Sequence, residues 1–366
     1  MTIAVLIVLG VCLGSFINAF VWRFRRQAEI RDGLLFADIN PVTAKTVKTD
    51  SNTAALSDRD KLSIARGHSM CSSCGHQLAA KDLIPVVSYV MLRGRCRYCR
   101  GPIHDTPVPE VVTPLLFVLS YIFWPLPLAP YDGRYDALGV FTFVLWLVFL
   151  VGFVILSLYD YYWRELPHDI VFPLVCLAIL QVVLVATVLG GGRESALHAV
   201  YGALVCAGTF VVLYWISPKA GRDSKADAGS EADDSTIGVT DYDSAPDSDT
   251  VTAAAGLDPS KVGIGTLVFS ILLGGLFGNK DSLWIGGGDI TLGILLGLLV
   301  GGPANAFLLI FIASLIGTLL AIPMLAMGKA TRSSHLPFGP MLMAATVIVK
   351  LFGVTLIGWY TGQIIV

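Results

Sequence analysis

The chain of 366 residues is 55% apolar and only 14% charged, with 25 basic and 27 acidic side chains. Soluble globular proteins carry roughly a quarter charged residues. The composition therefore excludes an ordinary cytosolic enzyme and a wholly disordered chain, and the mean hydropathy of +0.72 indicates a membrane protein.

Apolar runs along the chain predict an all-α polytopic membrane protein with about eight transmembrane helices. A span needs roughly 20 apolar residues. No secretory cleavage site follows the first run, so residues 1–22 are interpreted as a retained first helix. The predicted spans are approximately 3–22, 111–129, 138–159, 169–190, 196–216, 285–302, 304–327 and 339–361.

The spans divide the chain into segments of different character. Residues 23–110 are predicted to form a small cytosolic zinc-binding domain between helices 1 and 2, and residues 111–216 hold helices 2–5. The Asp-rich stretch 217–261 has almost nothing to bury and is predicted to be a disordered acidic linker. The apolar run in 262–284 is too short to span and is predicted to be re-entrant or interfacial, before helices 6–8 in 285–366.

The distribution of Lys and Arg predicts the orientation. Residues 23–110 contain 14 of the 25 basic residues. With an external N-terminus and eight spans, the external loops hold only Arg134 and Arg193. The positive-inside rule therefore places the segment after the first span in the cytosol.

Four cysteines in that segment form two C-x-x-C pairs, Cys71 with Cys74 and Cys96 with Cys99. Each pair can place two thiolates on one tight turn, so that the four sulfurs surround a zinc ion. Disulfides are disfavoured because the segment is assigned to the reducing cytosol. Four cysteine ligands leave no open coordination position, so the zinc is expected to be structural.

Two carboxylates stand out because acidic residues at membrane depth are rare and costly. Asp160 ends the third span, and Asp289 follows Gly286, Gly287 and Gly288 at the start of the sixth. They could be a juxtamembrane charge and a helix N-cap. Alternatively, two carboxylates that meet near the membrane surface could share one proton, as in an aspartic protease, with the glycines giving an extended substrate room to approach.

The first span carries Ser15 and Asn18 on one face, followed by Arg23, and a late loop reads Pro337-Phe338-Gly339-Pro340. Taken alone, these could be interhelical hydrogen-bonding groups and a turn. Together with Leu166-Pro167 after Asp160, Gly286 to Asp289 and the paired cysteines, they resemble the prepilin peptidases, a family of GxGD aspartic membrane proteases. The resemblance covers nearly the whole chain.

The resemblance implies an endopeptidase that removes the leader peptide of type IV prepilins or pseudopilins and methylates the new N-terminus from S-adenosylmethionine. It implies Asp160 and Asp289 as the catalytic pair, with support from the three preceding glycines, Asn18, Arg23, Pro337, Phe338 and Gly339. The implied location is the bacterial inner membrane, with the active site toward the cytosol. Partners would be prepilins and membrane lipid, without nucleic acid.

Two alternatives stay open: a peptidase without methyltransferase activity, and a transporter or channel with a zinc-ribbon domain. The chain also departs from the family pattern, with Arg25 in place of Pro, His168 in place of Asp and Thr291 in place of Lys. Lys350 in the last span could supply the charge that Thr291 lacks, or could snorkel or meet a backbone carbonyl.

Overall fold

The computed structural model describes residues 1–31, 69–71, 74, 76–103, 106–126, 137–188, 192–216, 287–327 and 337–362. The predicted acidic linker at 217–261 and the predicted re-entrant segment at 262–284 lie outside these ranges, as does Gly286. The segment boundaries proposed above therefore stay predictions.

The described chain is helical, as predicted. Its α-helices are numbered here in chain order: α1 (Thr2–Arg31), α2 (Val87–Met91), α3 (Val108–Ile122), α4 (Ala137–Trp163), α5 (His168–Thr187), α6 (Gly192–Ile216), α7 (Gly287–Val300), α8 (Pro303–Ala326) and α9 (Gly339–Tyr360). Within the described ranges, β-structure is limited to two isolated bridges near the cysteines.

Six of these helices, namely α1, α4, α5, α6, α8 and α9, are long and apolar enough to cross a membrane. The chain is therefore a multi-pass membrane protein. The apolar helices α3 and α7, with 15 and 14 residues, coincide with two further predicted spans but are shorter than a span needs. The count of eight spans stays a prediction.

Helix α1 continues nine residues beyond the predicted end of the first span at residue 22. Its last part reads Arg23-Phe24-Arg25-Arg26-Gln27-Ala28-Glu29-Ile30-Arg31, without Gly or Pro to break the helix. Arg, Gln, Ala and Glu are good helix formers, so the helix outlasts the apolar run. The hydropathy pattern predicts where the membrane ends, and the propensity of the residues decides where the helix ends.

Helix α4 lies in the middle of the bundle and packs against α1, α3, α5 and α9. Its aromatic side chains Trp146, Phe149 and Phe153 are almost fully buried. The indole Nε1 of Trp146 donates a hydrogen bond to Ser120 Oγ of α3 at 2.9 Å, which satisfies a polar group that could not reach water. The middle of α4 is thereby held by packing on several sides.

Helices α6 and α7 cross at glycines. A Cβ on Gly297 would lie 2.5 Å from the Cα of Ala203, and a Cβ on Gly202 would lie 2.5 Å from the carbonyl oxygen of Gly297. Both contacts are with backbone atoms, which cannot rotate away. Small residues at such crossings let membrane helices approach closely and gain van der Waals contact.

We predict that Gly297→Ala destabilises the bundle by about 1–3 kcal/mol, because the added methyl group overpacks the crossing with α6. The measurement is thermal unfolding of the purified protein in detergent. Gly208→Ala in α6 is the matched control, because a Cβ there would meet nothing within 4 Å. Both changes raise helix propensity alike, so equal unfolding temperatures for the two variants would contradict the close crossing.

Candidate active site and metal centre

Asp160 is a buried carboxylate near the carboxyl end of α4. Its side chain is only 6% exposed, although α4 ends three residues later. Its Oδ2 atom accepts a hydrogen bond from the backbone N–H of Gly339 at 3.1 Å. The amino end of α9 thus supplies a fixed donor to the carboxylate that the sequence singled out.

Asp289 lies in the first turn of α7, which begins at Gly287. The helix starts before Asp289, so the interpretation of this residue as an N-cap is wrong. Asp289 is half-buried and close enough to Asp160 for their charges to interact. Two carboxylates 129 positions apart in the sequence therefore lie near each other at one end of the bundle.

The backbone around both carboxylates is tightly packed. A Cβ on Gly339 would lie 2.6 Å from Asp160 Oδ2, and a Cβ on Gly288 would lie 2.9 Å from the Cβ of Leu166. Phe338 caps the start of α9 and packs edge-on against Phe210 of α6. Of the predicted late loop, Gly339 contacts Asp160 directly, while a role for Pro337 and Phe338 at the site stays a prediction.

Arg25 makes contacts beside Asp160 that the sequence did not reveal. Its guanidinium donates to the hydroxyl of Tyr159 at 3.3 Å and pairs with Glu165 Oε2 at 2.9 Å. It also lies over the ring of Trp163 at 5.3 Å. These contacts attach α1 to the end of α4, one residue away from Asp160. The residue that departs from the family pattern thus makes its own set of contacts in this chain.

The paired cysteines form two turns with the same hydrogen bonds. Cys71 N–H donates to His76 O and Cys96 N–H donates to Gly101 O, both at 2.9 Å. Isolated β-bridges, Met70 with Gln77 and Arg95 with Pro102, close the two turns. The matching patterns show two knuckles of the same kind, each presenting two cysteines.

The four cysteine sulfurs lie within 4.8 Å of one another, and Cys71 Sγ and Cys99 Sγ are 4.0 Å apart. Zinc–sulfur bonds of about 2.3 Å in a tetrahedron place neighbouring sulfurs about 3.8 Å apart, so this set fits a zinc ion. Cys71 and Cys96 are buried, whereas Cys74 and Cys99 are exposed. The predicted cluster of four cysteines is confirmed.

A carboxylate outside the cysteines, on the short turn at Ala80–Asp82, binds the second knuckle. Asp82 accepts hydrogen bonds from Arg97 Nε at 2.7 Å and from the Tyr98 hydroxyl at 3.0 Å. Desolvation would raise the pKa of Asp82, but the bonds from Arg97 and Tyr98 outweigh it and keep the pKa below its usual value. The bond to Asp82 raises the pKa of Tyr98 in turn. His76 of the first knuckle lies against the ring of Tyr98, with ring centroids 3.8 Å apart.

Asn18 and Arg23 lie on the side of α1 that faces the cysteine segment. Asn18 Nδ2 donates to Thr106 O at 2.9 Å. Asn18 and Arg23 both line a cavity between α1 and the cysteine segment. Arg23 is only 8% exposed. Their predicted role in support of the aspartates stays a prediction, because the contacts that place them here involve the cysteine segment.

The hypothesis that Lys350 supplies a charge near the aspartates is wrong. Its Nζ donates to the carbonyl of Leu299 at 2.9 Å, near the carboxyl end of α7. Asp289 lies ten residues earlier on α7, about 15 Å along the helix axis, and Gly339 lies eleven residues earlier on α9. A backbone carbonyl at the opposite end of the bundle satisfies the amine instead.

Comparisons with known proteins now extend the sequence resemblance. Residues 8–124 match the family model described as Bacterial Peptidase A24 N-terminal domain. Over 117 residues the chain is 30% identical to a type 4 prepilin-like proteins leader peptide-processing enzyme of Escherichia coli, which covers 32% of this chain and 38% of that protein. It is 41% identical over 103 residues to a prepilin leader peptidase/N-methyltransferase of Burkholderia pseudomallei, or 28% of this chain and 30% of that protein.

Longer matches carry lower identity. The chain is 25% identical over 362 residues to a prepilin leader peptidase/N-methyltransferase of Aeromonas salmonicida, which covers 96% of this chain and 91% of that protein. No solved structure matches the chain. The resemblance to prepilin peptidases is therefore confirmed, and it extends over nearly the whole length.

We predict that the purified protein contains about one zinc ion per chain and that Cys71→Ser loses most of it, because three thiolates hold the ion less tightly than four. The measurement is metal analysis by mass spectrometry after gel filtration. Cys176→Ser is the matched control, since Cys176 is an exposed cysteine of α5 outside the cluster. Equal zinc content in both variants would contradict the assignment.

Proposed function

We propose that the chain is a membrane-embedded aspartic endopeptidase that removes the leader peptide of type IV prepilins or pseudopilins and then methylates the new N-terminus. The observation that carries this proposal is the meeting of Asp160 and Asp289 at one end of an apolar helical bundle. The names of the relatives supply the substrate class and the second activity.

Two neighbouring carboxylates can perform hydrolysis without a metal. Like charges at short range disfavour double ionisation, so one carboxyl group keeps a proton while the other takes a proton from water. The hydrogen bond from Gly339 N–H holds one oxygen of Asp160, and the carboxylate keeps its other oxygen for proton exchange. The activated water then attacks the scissile carbonyl, and the protonated carboxyl group donates to the leaving amine.

Glycines beside Asp289 fit a peptide substrate. An extended substrate backbone must come within hydrogen-bond distance of the dyad, and side chains at Gly287 and Gly288 would obstruct that approach. A leader peptide with a small residue before the cleaved bond would suit such a narrow site. The proposal therefore assigns the glycines to substrate access.

The location proposed for this activity is the cytosolic side of the bacterial inner membrane, with the N-terminus of α1 outside. The basis is the concentration of Lys and Arg in 23–110, a segment that joins the end of α1 to α3. The same end of the bundle carries Arg25 and the dyad. Leader cleavage and the cysteine segment would then share one compartment.

For the methyl transfer we propose S-adenosylmethionine as the donor and a structural role for zinc. The four cysteines hold together a small segment that buries little apolar surface of its own, so metal binding would supply its folding free energy. The names of the relatives pair both activities, so the peptidase-only alternative is not favoured. The carboxylate dyad beside consecutive glycines is what distinguishes the proposal from a transporter.

We predict that Asp160→Asn and Asp289→Asn each reduce leader cleavage at least about 100-fold, because an amide can neither take nor give the proton that the dyad needs. The measurement is the cleavage rate of a purified prepilin in detergent micelles.

Asp169→Asn is the matched control for these two variants. Asp169 lies in the first turn of α5, within ten residues of Asp160, and it should keep substantial activity. A dead Asp169→Asn variant alongside an active Asp160→Asn variant would mean that the first catalytic carboxylate is assigned to the wrong residue.

We also predict that Gly339→Ala lowers the cleavage rate at least about tenfold, because the new Cβ would lie 2.6 Å from Asp160 Oδ2 and would push the carboxylate out of its hydrogen bond. The measurement is kcat/KM for the same prepilin. Gly208→Ala adds a methyl group in open space and serves as the control. Wild-type kinetics in Gly339→Ala would show that the contact does not position Asp160 for catalysis.

A further inference from the structure

The short helix α2 carries aliphatic side chains on the outside of the cysteine segment. Val87, Val90 and Met91 lie on one side of this helix, and Val90 and Met91 are 65% and 75% exposed. Ile84, in the turn before the helix, is exposed as well. These four residues are called here the outer face of α2. A contiguous exposed apolar patch marks a surface that meets another protein or a membrane.

The opposite side of α2 faces the protein. Ser88, Tyr89 and Leu92 line the cavity between α1 and the cysteine segment and are only partly exposed. The surface helix of a soluble protein turns its polar side outward, so the arrangement in α2 is the reverse. A helix that presents aliphatic side chains to its surroundings is suited to the boundary between lipid headgroups and acyl chains.

Contacts between α1 and α3 indicate the depth at which this segment lies. A Cβ on Gly14 would lie 2.4 Å from the carbonyl oxygen of Pro109 and 2.6 Å from the Cα of Glu110. Gly14 comes eight residues before the predicted end of the first span at residue 22, which is about 12 Å along the helix axis. The first turn of α3 therefore lies within the predicted thickness of the bilayer.

Glu110 attaches α2 to this first turn of α3. One of its carboxylate oxygens accepts a hydrogen bond from the backbone N–H of Val86, the residue directly before α2. Val86 has φ of 59°, in the left-handed region that β-branched residues avoid, so the surrounding structure must maintain this turn. A helix of five residues is not stable alone. The bond to Glu110 therefore holds the start of α2 near the membrane surface.

The sequence around the outer face is basic. Residues 69–103 contain five basic residues, at positions 81, 93, 95, 97 and 100, and one acidic residue, Asp82. Asp82 pairs with Arg97, whereas Arg93 and Arg95 follow α2 closely and are exposed. Anionic lipids attract arginines at a membrane surface, and an apolar protein partner gains nothing from them. The charge therefore favours lipid as the occupant of the outer face.

We propose that the outer face of α2 is an interfacial membrane anchor. Its four side chains enter the boundary between headgroups and acyl chains, in the leaflet where the apolar run of α1 ends, and Arg93 and Arg95 pair with lipid phosphates. The anchor goes beyond the proposed function, because it requires neither a prepilin nor a methyl donor. Contact with the bilayer then holds the cysteine segment against α1 together with the protein contacts.

The test is photolabelling of the full-length protein in nanodiscs that contain phosphatidylglycerol with a diazirine on its acyl chain. Trypsin then releases residues 82–93, a peptide with the whole of α2 and no residue of a candidate membrane span. We expect mass spectrometry to find at least about fivefold more label in this peptide than in the neighbouring tryptic peptide 67–81, which holds the first knuckle. Equal label in the two peptides, or no label in 82–93, overturns the proposal.

Val90→Asp together with Met91→Asp should reduce the label in α2 at least about fivefold, because carboxylates resist entry into the acyl-chain region. Val90→Leu together with Met91→Leu is the matched control, since it changes the same positions without adding charge, and it should keep the label. Zinc content and gel filtration identify any variant that has not folded. Unchanged label in a folded aspartate variant overturns the proposal.

A benzophenone amino acid in place of Val90 identifies what the outer face contacts. A lipid adduct supports the proposal, whereas an adduct confined to a peptide of this chain or of a second copy overturns it. Exchange of phosphatidylglycerol for phosphatidylcholine with the same diazirine chain should lower the label in 82–93 at least about twofold, because the arginines lose their anionic partner. Label that is independent of headgroup charge overturns the role of Arg93 and Arg95. None of these measurements requires leader cleavage, so the anchor and the proposed function can fail separately.

Discussion

The hydrogen bond from Gly339 N–H to Asp160 Oδ2 is the contact on which the site depends. A carboxylate that is 6% exposed in an apolar bundle has lost most of its hydration, and leaving it without a donor would cost several kcal/mol. The amino end of α9 provides that donor and the positive end of its helix dipole. The donor can come so close only because position 339 has no side chain.

Glycines set the other helix distances in the same way. A Cβ on Gly10 would lie 2.5 Å from the Cα of Pro114, and a Cβ on Gly14 would lie 2.4 Å from the carbonyl oxygen of Pro109. These contacts bring α1 against α3, as Gly297 brings α7 against α6. Because lipid is as apolar as the helix surfaces, close packing replaces the hydrophobic effect as the source of association. The close packing of α1 on α3 and of α6 on α7 thus helps to fix the helices that border the cysteine segment and carry Asp289.

The sequence predicted those features that rest on local composition or spacing. Apolar runs predicted the helices, and two C-x-x-C pairs predicted the cysteine cluster. Scarcity of acidic residues in the spans identified Asp160 and Asp289. The sequence could not predict which helices pair, because helices that are apolar on all sides carry no periodic signal for a partner.

Individual polar contacts were equally hidden. Lys350 could be satisfied by a carboxylate or by any carbonyl, and only the packing of α9 on α7 selects Leu299. Asp82 looked like one charge among many, yet it accepts hydrogen bonds from both Arg97 and Tyr98 of the second knuckle. In the sequence, Arg25 stands out only because the family pattern has Pro at that position. Such roles depend on the distance between segments, which the sequence does not contain.

Helix α1 contacts both the cysteine segment and the end of α4. Asn18 binds the carbonyl of Thr106 in the cysteine segment, whereas Arg25, two turns later, binds Tyr159 at the end of α4. Since the helix is continuous from Thr2 to Arg31, a shift of the cysteine segment would be transmitted through α1 to the residue next to Asp160. One continuous helix therefore links the cysteine segment to the residue next to Asp160. Loss of the metal should accordingly disturb the geometry around Asp160 through Arg25, and the two activities proposed for the chain are separable in chemistry but joined in structure.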